Sequence, residues 1–222
     1  MTLAGLLECR DDSLARVVRL VKDEQTREPF VRSPVACHAL IAAHISKSSE
    51  APMLVVTATG RAADETAAVL RELLPASNVA AFPSWETLPH ERLSPSADTV
   101  GRRTMVLSQL VQPDPSDPCL PPVDVIVASI RAVIQPIAWE VAQSVPVRLR
   151  VQEAADFGGV IARLVDLGFD RVDLVEHRGQ FAVRGGILDV FPATEEHAVR
   201  VEFFGDQVDS VRYFTVTDQR SV

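Results

Sequence analysis

Cysteine is scarce in this chain. Only Cys9, Cys37 and Cys119 occur, odd in number and far apart, with no Cys-x-x-Cys. That argues against both a disulfide framework and a cysteine zinc site. Lysine is scarcer still, with Lys22 and Lys47 standing against twenty arginines. The formal net charge is −8. Divided after Glu140, the chain has 13 basic and 17 acidic residues, then 9 and 13, so each part is net −4. A protein that grips duplex DNA unaided carries a basic stripe whose contacts release counterions. Neither part contains one. No apolar run approaches the roughly 20 residues of a membrane helix. The opening residues also lack the basic start of a secretory signal. The expectation is a soluble, cytoplasmic chain with no membrane partner.

Catalytic motifs are missing as well. A phosphate-binding loop needs glycines so that backbone N–H groups can wrap a phosphate, then Lys and Ser/Thr for charge and magnesium. The segment that would hold one, Phe30-Val-Arg-Ser-Pro-Val-Ala-Cys-His-Ala-Leu40, has no glycine. The apolar run Val123–Ala128 does not end in the paired acid that holds magnesium. His38 and His44 are six apart and so point to different sides of one helix. His90, His177 and His197 stand alone in a loop, at a strand end and in a turn. No Gly-x-Ser-x-Gly elbow marks a nucleophile. The acid pairs Asp11-Asp12, Asp64-Glu65 and Glu195-Glu196 read as caps or turns. Neither catalysis, a metal nor a cofactor is expected of this chain.

What is present is a sizeable core. Apolar residues make up 47% of 222, enough for one large domain or two small ones. Helical spacing appears in residues 12–23, in Val35–Ser46 behind Pro34, and in Arg61–Leu74 before Pro75. It appears again in Asp98–Val111, with Asp98 as the expected cap. Short buried strands are expected at Pro52–Ala58, Val79–Phe82 and Val123–Ala128. The alternation of helices and strands predicts an α/β domain with a mainly parallel sheet over residues 1–130. The three-proline loop Pro83–Pro95 carries Trp85 and Leu88, expected to cover the sheet end.

The pattern then changes. Val147–Val151 alternates apolar residues with arginine, which predicts a strand with one wet face. Asp156–Leu167 is an amphipathic helix ended by Gly168. Strands are expected at Val172–Glu176, Gln180–Arg184, Ile187–Phe191, Ala198–Phe204 and Gln207–Phe214, with Gly205-Asp206 as a hairpin turn. Residues 131–214 therefore read as a smaller α+β domain with a mostly antiparallel sheet. In Gln180–Arg184, Phe181 and Val183 share one face; Gln180, Ala182 and Arg184 share the other, expected to be the wetter one. Arg184 beside Leu188 on an exposed sheet face has the composition of a small binding hot spot; a solvated charge on the hairpin is the other reading.

Three collinear stretches, Phe82–Arg103, Arg178–Pro192 and Val199–Arg212, resemble the N-terminal, UvrB-like region of the transcription-repair coupling factors, the Mfd family. The signature Phe-x-Val-Arg-Gly-x-x-x-Asp-x-Phe-Pro, here Phe181 to Pro192, also occurs in the excision-repair protein UvrB. The resemblance implies that the first domain is a degenerate helicase-like fold without its nucleotide site. It implies that the second domain binds UvrA, with Arg184 central, Leu188 as apolar anchor and Arg171 as a further candidate. Residues 215–222 would begin a return toward the first domain. The family's longer chains are expected to bind RNA polymerase and double-stranded DNA through other domains, and to hold ATP and Mg in a translocase. A far C-terminal domain would mask the UvrA-binding face. Two other readings stay open: a direct DNA-binding module and a degenerate nucleotidase.

Overall fold

The computed structural model describes residues 12–23, 25, 28–87, 94–117, 120–137, 143, 146–195, 197–217 and 219–220. Chain contacts divide it into two units. One holds residues 1–88 and 103–143, the other residues 89–102 and 144–222. Among the described residues no helix is long and apolar enough to cross a membrane.

The first unit is built on a three-stranded parallel sheet, in the order β1 (Met53–Thr57), β3 (Val125–Ser129), β2 (Val79–Phe82). The central strand β3 is buried along its whole length, which explains its unbroken apolar run. On one face α2 (His38–Lys47) and α3 (Gly60–Leu73) pack Ala43, Ala67 and Leu70 against Val79, Val125 and Val127. Each such leucine contributes about 2 kcal/mol by leaving water. Thr59 caps α3 by accepting from the Ala62 N–H. A short 3-10 turn, Val35–Cys37, leads into α2, so the helix expected from Val35 starts at His38. An exposed amphipathic helix, α1 (Asp12–Lys22), precedes it.

The other face of this sheet carries Phe82, Ile126 and Ala128, packed with Val106 of α4 (Ala97–Val111). Asp98 lies inside the first turn of α4 rather than capping it; Ser96 Oγ accepts from the Thr99 N–H. The Arg103 guanidinium is buried and lies between the Phe82 and Trp85 rings, 4.1 and 4.2 Å from their centres. Burial pushes Arg103 below the usual arginine range. Gln135 holds the Trp85 backbone on both its N–H and its carbonyl. Trp85 therefore packs within its own unit, while Leu88 and His90 lie outside the described residues.

The sequence predicts a boundary near 130, and contacts group the chain beyond that point with the first unit. Ser129 ends β3 and at once caps α5 (Ile130–Ile134), whose Ala132 is fully buried with Phe82 and Ala128. The chain stays in the first unit to Gln143.

The second unit is a five-stranded mixed sheet in sequence order, from β4 to β8. The strands are β4 (Asp170–Arg171), β5 (Gln180–Arg184), β6 (Ile187–Val190), β7 (Ala198–Phe204) and β8 (Gln207–Phe214). Only β4 runs parallel to its neighbour. The helix α6 (Phe157–Asp166) ends at Gly168, φ +82°, and its core includes Leu164, Phe181, Leu188, Val201 and Val208. Val147 and Leu149 join this core from a segment without strand pairing. Their alternation marks a chain lying against the sheet, not a ladder. No strand forms at the expected Val172–Glu176; the paired residues are Asp170–Arg171 just before it, and Val175 turns into a second small core with Ala182, Phe191, Ala198 and Phe214. Val216 packs on that second core, and Thr215 N–H bonds the Arg220 carbonyl.

Candidate partner-binding face

The β5–β6 hairpin closes through Gly185-Gly186. Gly185 sits at φ +60°, a left-handed conformation open to glycine at little cost. A Cβ on Gly186 would stand 2.7 Å from the Phe203 carbonyl oxygen, whose residue donates its N–H to Gly186 O at 2.7 Å. The glycine pair lets the hairpin lie tightly against β7. That fixes the register: Arg184 opposite Ile187, Val183 opposite Leu188, Ala182 opposite Asp189.

Register decides which side chains share a face. Phe181, Val183, Leu188 and Val201 point toward the α6 core. Ala182, Arg184, Ile187, Asp189, Arg200 and Glu202 point the other way. This second face is graded. Ala182, Ala198 and Phe214 form its buried end. An ion pair follows, with Arg200 Nε and Nη2 donating to the Asp189 carboxylate at 2.6 and 2.8 Å. Arg200 also lies 4.7 Å over the Phe214 ring. The Asp189 hydrogen bonds hold the Arg200 guanidinium above the usual arginine range. Beyond the pair the face opens to solvent at Arg184, Ile187 and Glu202, and Arg212 pairs with Glu202 there.

Arg184 is exposed, as expected. One guanidinium nitrogen, Nη2, donates to the Asp173 carbonyl at 3.2 Å. Among the described residues it is the one hydrogen bond of this exposed side chain. Leu188 differs from expectation. It is 1% exposed and packs in the α6 core. One position separates it from Ile187, and one position on a strand reverses the face. Ala182 also departs from the wet face expected for it, at 1% exposed. The apolar neighbour of Arg184 on the open face is Ile187, 36% exposed. Arg171 is exposed but stands in register with Phe181, on the α6 side at the sheet edge. Arg171 and Arg184 therefore lie on opposite faces.

Leu188→Ala is accordingly expected to act on stability. It should cost about 3 kcal/mol, the usual range for a buried leucine, read by chemical denaturation. Unchanged stability with lost partner affinity would instead return Leu188 to the surface.

Residues 147–222 match the family model described as the UvrB interaction domain. Over 226 aligned residues, 96% of the chain, it is 45% identical to the transcription-repair-coupling factor of Mycobacterium bovis. The factor from Mycobacterium tuberculosis aligns equally well. That of Bacillus subtilis is 31% identical over 178 residues, 80% of the chain. The chain belongs to the transcription-repair-coupling factor family. It spans 18% of the Mycobacterium relatives' length and 14% of the Bacillus one.

Within this coupling-factor module, the UvrB interaction domain and the second structural unit nearly coincide. The open sheet face belongs to that domain. Sequence reasoning singled out Arg184 as an exposed residue and did not single out Ile187 or the Asp189–Arg200 pair. The signal for the pair was an acid inside an otherwise apolar strand, Ile187 to Val190.

Proposed function

We propose that this chain is a non-catalytic recruitment module of a transcription-repair-coupling factor, and that its second unit binds UvrA. The observation that carries the reading is Arg184, a nearly free guanidinium at the open end of a rigid sheet face. Arg184 would reach a carboxylate on UvrA, with Ile187 giving apolar contact beside it. Such a contact is mainly polar at its rim, so it steers encounter and weakens as charges are screened. No nucleotide, metal or catalytic role is assigned to this module. In the whole protein, other domains would hold RNA polymerase and duplex DNA and turn over ATP with Mg. A C-terminal domain covering the Arg184 face would keep the module silent until polymerase is engaged, a population shift between covered and open states.

The test is calorimetric titration of the 222-residue chain with UvrA. Binding is expected, and it should weaken between about 0.1 M salt and about 1 M, as the screening length falls from about 10 to about 3 Å. Absence of binding at low salt sinks the proposal. Binding that is indifferent to salt removes Arg184 from the centre of it.

A further inference from the structure

The β7–β8 hairpin holds two adjacent phenylalanines with opposite fates. Phe203 turns inward, its ring 4.7 Å from the Phe157 ring of α6. Phe204 is 83% exposed, more than any other large apolar residue described in the second unit. Alternation along β7 puts Phe204 on the face opposite Phe203, the same face as Glu202, Ile187 and Arg184. The core does not require an aromatic there. Phe204 is the last residue of β7, beyond a register shift after Glu202 and next to the Gly205-Asp206 turn, and its backbone is still in register with Gln207. A large ring left in water on a paired strand at the end of a polar face is a feature of binding surfaces.

We infer that Phe204 is the aromatic anchor of the Arg184 face, seated in an apolar pocket of the partner beside the acid that receives Arg184. This rests on the reading above, that this face binds UvrA. The two side chains stand two strands apart, on the order of 10 Å by strand spacing. Ile187 and Glu202 lie between them. Glu202 is paired with Arg212, so its charge does not oppose an incoming carboxylate. The face thus presents a cation, an aliphatic group, a neutralised pair and an aromatic ring. Its complement is an acidic rim around an apolar pocket. Arg184 would supply steering, and Phe204 most of the buried apolar area.

The experiment titrates UvrA with the wild-type chain, Phe204→Ala, Phe204→Trp and Arg184→Glu, beside thermal melts and sedimentation of each chain alone. Phe204→Ala is expected to bind about 30-fold more weakly, and Phe204→Trp within about threefold of wild type. Both should melt with wild type, because an exposed ring supports no core. If wild type does not bind UvrA, the functional reading falls and this inference with it. If wild type binds and Arg184→Glu does not, undiminished affinity in Phe204→Ala overturns the inference alone. Self-association that Phe204→Ala removes, with UvrA affinity intact, assigns the ring to a second copy of the chain and also overturns it.

Discussion

Arg184→Glu is expected to lower UvrA affinity by at least about 100-fold, on the order of 3 kcal/mol, while the melting temperature moves by no more than about 3 °C. The asymmetry follows from where the side chain stands. Arg184 is exposed, and among the described residues its one hydrogen bond goes to the Asp173 carbonyl. Nothing in either core depends on it. Charge reversal at the interface removes the donors and places a like charge before the partner's acid, which costs more than truncation. Calorimetry beside a thermal melt separates the outcomes. A folded variant that binds like wild type would move the interface off this face. A variant that binds poorly because it melts early would show that the Asp173 bond matters to the fold.

The second large effect falls on stability. Asp189→Ala is expected to cost about 3 kcal/mol, a drop in melting temperature on the order of 15 °C for a unit of this size. Asp189 is 3% exposed and receives both Arg200 nitrogens. Removing it leaves a guanidinium held against the Phe214 ring with, among the described residues, the Gln219 Oε1 contact at 3.3 Å and the charge of Glu202. Breaking one side of a mostly buried pair is expensive because the other charge stays desolvated. Replacing both, as Asp189→Ala with Arg200→Met, should recover part of the loss, since the stranded charge goes too. Chemical denaturation of the two variants beside wild type checks this. A single variant within about 1 kcal/mol of wild type would show that Arg200 reaches water once released. Asp189 cannot touch a partner directly, so the folded fraction of the variant should still bind UvrA.

Much of the chain was legible because local chemistry and global fold agree in it. Val79–Phe82, Gln180–Arg184, Ala198–Phe204 and Gln207–Phe214 form strands over the residues that β-branched and aromatic enrichment marks. Gly168 stops α6 where its pattern stops. Misreadings came where an apolar pattern had a different use. Val147 and Leu149 alternate to cover a core without pairing, and Val175 is buried through a turn. Alternation reports which side chains are buried, and a chain draped on a sheet buries alternate residues as a strand does.

The candidate site divides along the same line. The motif around Arg184 and its glycine pair is local, so residue order alone pointed to an exposed arginine before a tight bend. Family membership likewise follows from residue order. The anchor beside Arg184 is not local. It depends on whether Ile187 or Leu188 faces solvent, and on which face β7 turns to β6.

Composition and order alone determined the α/β unit followed by an antiparallel-rich one, the missing phosphate loop, and Arg184 as the residue to test. Tertiary structure alone decided that Leu188 is core, that Arg171 faces the other way, and that Ile187 and Phe204 share the Arg184 face. The reason is register. A strand's two faces differ by one residue, and the choice between them is made by pairing with neighbours up to 15 residues away.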